Sequence, residues 1–122
     1  MSSIPIAVVV ADPEPDVARA IQVSLLPRYD VVHFFKNVDQ ALFELPLLVK
    51  GNLELPDHSG MGSNAERDVP DRKVPKALVV YSDLPDYVLD TVRQSFADKI
   101  KVLGVPPECD PQFVMIQLDD ML

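Results

Sequence analysis

A single cysteine, Cys109, is all the thiol chemistry in this chain of 122 residues, which excludes an intramolecular disulfide and a cysteine-based zinc site. Glycine is scarce, four residues in all, and none falls where a phosphate would need it. The turn after the first apolar run reads Ala11-Asp12-Pro13-Glu14-Pro15-Asp16. A dinucleotide site would carry Gly-x-Gly-x-x-Gly there, to bring backbone amides up to the pyrophosphate. No Gly-Lys-Ser or Gly-Lys-Thr occurs anywhere. Bound NAD, FAD or ATP in their usual loops is therefore excluded, and no organic cofactor is expected.

Positive charge is also in short supply, with 11 Lys and Arg against 19 Asp and Glu and a formal charge of −8. A nucleic-acid backbone and an anionic membrane both call for a cationic surplus, so neither is an expected partner. A small-molecule ligand stays open. No apolar run approaches the roughly 20 residues needed to span a bilayer. The start Met1-Ser2-Ser3-Ile4-Pro5-Ile6 lacks the basic region and long apolar stretch of a signal peptide. A soluble, cytoplasmic protein is the expectation.

What is present is ordinary globular composition, 48% hydrophobic and 25% charged, in a length suited to one domain over residues 1–122. Its most informative feature is a strand-turn-helix pattern written twice. Ala7-Val8-Val9-Val10-Ala11-Asp12-Pro13-Glu14-Pro15-Asp16 returns as Ala77-Leu78-Val79-Val80-Tyr81-Ser82-Asp83-Leu84-Pro85-Asp86. In both copies an apolar run ends in acids and prolines, and Pro-Asp opens an amphipathic segment. A buried strand feeding a helix is the unit of an open parallel sheet.

Further runs complete the pattern. Strands are expected at Ile4–Ala11, Tyr29–Phe35, Ala77–Tyr81 and Lys99–Val105, the second from its β-branched and aromatic content. Helix one carries Val17, Ala18, Ile21 and Leu25 at helical spacing and stops at Pro27. Asn37 or Asp39 caps helix two, whose stripe is Val38, Ala41, Leu42 and Leu45. Pro46 breaks or restarts it, with room for one more turn over Leu47–Lys50 before Gly51 as the C-cap. Helix three carries Val88, Leu89, Val92 and Phe96 and is capped by Ser82 or Asp83. Asp110-Pro111 opens helix four, which runs from Gln112 to Leu122 with Val114, Leu118 and Met121 inward. Gly51 to Pro75 has no sustained period and reads as an irregular, mobile excursion, with a functional lid as the alternative.

Four β-α units imply a small three-layer α/β sandwich around a mainly parallel four-stranded sheet, order 2-1-3-4. This is a flavodoxin-like or Rossmann-like fold lacking a final strand. Strands two and four are its edges. So small a sheet leaves a helical layer thin, which makes a homodimer a reasonable expectation.

The acids Asp12 and Asp83, with Glu14 beside the first, fall after the two central strands, and hard oxygen ligands there suit magnesium. The same acids more often cap helices and offset helix dipoles. On these residues, and on Asp83-Leu84-Pro85, the chain resembles the phosphoacceptor receiver domains of two-component signalling over roughly its first hundred residues. That resemblance implies a magnesium-dependent signalling module built on Asp12, Glu14 and Asp83. The chain departs from it in having Pro13 after Asp12, no Ser or Thr near Val105 and Pro106, and no fifth strand.

Nucleophilic catalysis has little to build on. Glu108 and Asp110 flank Cys109 and oppose a thiolate. His33 lies inside strand two, and His58 beside Ser59 has no oxyanion-hole context. Tyr29, Tyr81 and Tyr87 more often pack than react.

Finally, Ile6-Ala7-Val8-Val9-Val10, Leu26-Pro27-Arg28-Tyr29-Asp30-Val31-Val32-His33-Phe34, Leu45-Pro46 and Pro75-Lys76-Ala77-Leu78-Val79-Val80 are similar to a group of small fungal α/β proteins. Such proteins are often encoded near secondary-metabolite genes, which implies an accessory role. The expected function is a non-enzymatic accessory or interaction domain. The alternatives are a degenerate receiver-like module, and a small enzyme or ligand carrier with a pocket at the carboxyl edge of the strands.

Overall fold

The computed structural model describes residues 4–10, 15–35, 37–51, 62–81, 85–96, 100–106 and 110–122. Strands β1 (Ile4–Val10), β2 (Tyr29–Phe35), β3 (Ala77–Tyr81) and β4 (Lys101–Val105) alternate with helices α1 (Pro15–Leu25), α2 (Val38–Val49), α3 (Asp86–Phe96) and α4 (Pro111–Met121). All strand pairs are parallel and the order is β2-β1-β3-β4. The expected α/β sandwich and strand order are thus present.

Two apolar cores flank the sheet. Ile6, Val8 and Val79 meet Leu25 of α1 and Val114 and Leu118 of α4 on one face. Ala7, Val9, Leu78 and Val80 meet Ala41, Leu45 and Leu48 of α2 and Val92 and Phe96 of α3 on the other. Alternate residues of one strand thus feed opposite layers, which is why the central strands read as unbroken apolar runs. The placement of α1 apart from α2 and α3 is what one crossover hand requires when strand order reverses at β1.

The register of β2 departs from simple alternation. Ile6 pairs with Val31 but Ala7 pairs with His33, so Val32 is an extra residue in the ladder. Val31 and Phe34, three apart, consequently share the α1/α4 core, while Phe35 enters the opposite one. A one-residue insertion inverts the facing of everything after it.

Helix two corrects one expectation. It continues through Pro46 to Val49, because Lys50 N–H still closes a turn onto Pro46 O (3.2 Å). The proline removes one donor near the helix end without ending the helix. Its fully buried residues are Ala41, Glu44, Leu45 and Leu48, so a carboxylate joins the expected stripe, of which Val38 and Leu42 pack half-buried against the same core. Asn37, not Asp39, is the cap, its side chain accepting from Gln40 N at 2.7 Å. Gly51, at φ 99°, adopts the left-handed conformation that glycine accepts after a helix and donates to Leu48 O (3.0 Å).

The second half of the expected irregular excursion is built structure. Ser63–Glu66 and Val69–Asp71 form 3₁₀ turns, and Lys76 N–H donates to Pro5 O at 2.8 Å, fixing the chain's return to the sheet. Among the described residues no helix is long and apolar enough to cross a membrane.

Candidate functional site

The carboxyl edge of the sheet is where open parallel sheets place their ligands. Val10 pairs with Tyr81, so the chain leaves β1 and β3 at the same level of that edge. Asp12, Glu14 and Asp83, the expected magnesium ligands, lie outside the described residues, as do His58, Ser59 and Cys109. The described acids of this edge begin helices. Asp110 caps α4, its carboxylate accepting from Gln112 N at 2.8 Å, and Asp16 and Asp39 stand in the first turns of α1 and α2. Carboxylates there offset the positive helix end. Among the described residues no three His, Cys, Asp or Glu side chains could hold a metal ion.

His33 is packed in the interior on the α2/α3 side, its ring 4.6 Å from that of Phe35. Glu44 is buried on the same side of the sheet. Its only sequence signal is position, three residues after Ala41 on the inward stripe, and reading charge as exposure hides it. Tyr81, at the end of β3, is nearly buried, and Tyr87 is exposed on α3.

At the opposite edge, a polar clasp joins the start of β2 to the last turn of α4. The Tyr29 hydroxyl donates to Asp119 Oδ1, and Arg28 Nε donates to the same oxygen at 2.7 Å. Burial is the first cause that pushes the Tyr29 phenol above its ordinary value, and the bond to Asp119 adds to it. The Arg28 guanidinium is likewise raised, by the Tyr29 oxygen first and Asp119 second. These partners are about ninety positions apart in sequence, so no local pattern announces them.

The outward surface of α1 and α4 is the third feature. Val23 is 65% exposed, Ile116 58% and Phe113 47%. Phe113 and Ile116 are neighbours at i, i+3 spacing, on the side of α4 away from Val114 and Leu118. The two helices pack against each other, and Val23 sits on the solvent side of α1, opposite Leu25. Val23 on α1 and Phe113 and Ile116 on α4 are thus large apolar side chains left exposed on two adjacent helices, which also expose Asp16, Arg19, Asp119 and Asp120. Expectations from sequence concentrated on inward positions and did not single out these side chains.

Comparison with protein-family models, with curated proteins and with solved structures returned no match.

Proposed function

We propose that this chain is a non-enzymatic accessory or protein-interaction domain that pairs weakly with a second copy through the outer α1/α4 face. The exposure of Val23, Phe113 and Ile116 on two adjacent helices carries the reading, because large apolar side chains left in solvent favour contact with another protein. Each helix has 11 residues. At 1.5 Å rise and a diameter near 10 Å, the pair presents roughly 16 Å by 20 Å. That footprint belongs to the small, transient end of interfaces. NMR spectra recorded over a dilution series test the reading: concentration-dependent amide shifts confined to α1 and α4 support it. Shifts confined to α2 and α3, or none at millimolar protein, overturn it.

A second reading follows from the pairing of Val10 with Tyr81, which brings the ends of β1 and β3 together. A magnesium site built on Asp12, Glu14 and Asp83 would lie beyond those ends, as in a receiver-like module. Titration with magnesium would then shift the Val10 and Tyr81 amides saturably. Spectra indifferent to millimolar magnesium remove this reading.

A further inference from the structure

Strand β2 has the composition most apt to pair with a copy of itself. Val31-Val32-His33-Phe34-Phe35 carries no proline and no acid, and β-branched and aromatic residues dominate it, the pattern of segments that stack as identical strands. Among the described residues it is also an edge strand, with β1 on one side only. Yet all seven of its residues are buried.

The cover is the strap Gly62–Lys76, whose first turn packs on β2. Asn64, itself buried, holds the strap in shape. Its Nδ2 donates to Lys73 O and its Oδ1 accepts from Lys73 N, both at 2.9 Å. Arg67 Nη1 donates to Ser63 Oγ (2.8 Å) and Asn64 Oδ1 (3.2 Å). Its Nη2 donates to Asp30 Oδ2 at 2.7 Å and ties the strap to the strand. The far end is fixed by Lys76 N–H on Pro5 O. The other edge strand differs. β4 has five residues, begins with exposed Lys101 and is followed by Pro106. Shortness, lysine and proline already blunt such an edge.

We propose that Gly62–Lys76 is an edge guard latched by Arg67 and Asp30, whose release turns β2 into a pairing strand for β2 of a second copy. The strap opens as a local unit while the rest of the sheet stays folded. This route to self-association is independent of the α1/α4 face.

Hydrogen exchange on Arg67→Ala tests the proposal, with Asp30→Asn as the milder variant should Arg67→Ala fold poorly. Charge-assisted hydrogen bonds set the scale, so amides of Val31, Val32 and the 64–73 segment should exchange about tenfold faster or more, with those of Ala77–Tyr81 unchanged. On standing, the variant should form thioflavin-positive assemblies, and adding Ile116→Asp should not prevent them. Exchange that rises equally in β2 and β3, exchange that does not change, or a variant that opens and stays unassembled overturns it.

Discussion

Replacing Tyr29 by phenylalanine isolates the hydroxyl of the clasp and leaves the ring packed. Tyr29 is 1% exposed, so Tyr29→Phe keeps the apolar contacts and removes one donor from Asp119. A hydrogen bond to a charged acceptor contributes about 1.5–3 kcal/mol. The Asp119 side chain is 34% exposed, and water replaces part of what is lost, which sets the expected cost at the lower end, about 1.5 kcal/mol. At about 4 °C per kcal/mol for a domain of this size, the melting temperature should fall by about 6 °C. Arg28→Ala removes the other donor to the same oxygen. Its side chain is 61% exposed, and solvent screening leaves such an exposed pair little weight in stability. Urea denaturation followed by far-ultraviolet circular dichroism should therefore rank Tyr29→Phe well above Arg28→Ala. Equal costs, or a larger cost for Arg28→Ala, would refute the assignment of the clasp's strength to the buried phenol.

The same phenol predicts an alkaline limit. Its folded value lies above the unfolded one, so its contribution is fully present below about pH 10, the unfolded value, and is lost as pH rises through the folded value. Tyr29→Phe should flatten that part of the stability profile, and an unchanged slope would contradict the linkage. At Gly104 an added Cβ would lie 2.7 Å from Leu89 Cδ1 and 2.8 Å from Cδ2. Gly104→Ala should cost about 1–2 kcal/mol by overpacking, and Leu89→Ala in the same chain should relieve part of it, a non-additivity readable in denaturation midpoints. Asn37→Ala removes the α2 cap and should cost about 1 kcal/mol, whereas Asp39→Ala should cost less. The reverse order in thermal melts would contradict the capping geometry.

The layers of this fold are legible in the chain because their causes are local. β-Branched runs at Val8–Val10 and Val79–Val80, proline at Pro15 and Pro111, and a glycine at Gly51 each act within a turn or a strand. The bulge at Val32 is not legible, since it exists only relative to β1 and inverts the alternation that sequence reading assumes. Nor is the strap: Asn64 reads as a loop residue until its amide is seen bridging Lys73. Glu44 and Asp119 carry charges that look like solvated surface, and only tertiary contacts assign them a buried and a clasping position. Of the candidate site, the sheet's topology brings the ends of β1 and β3 together as the repeated strand-turn-helix implied. The acids of that repeat lie outside the described residues. The outward apolar positions on α1 and α4 were readable as sequence but carried no signal until the inward stripe was fixed.

Sedimentation equilibrium on the wild type and on Ile116→Asp tests the central claim most directly. The wild type should show a reversible monomer–dimer equilibrium at high micromolar concentration, and Ile116→Asp, with an unchanged circular dichroism spectrum, should remain monomeric. A wild type that is monomeric at every concentration, or a dimer that Ile116→Asp leaves intact, would contradict it.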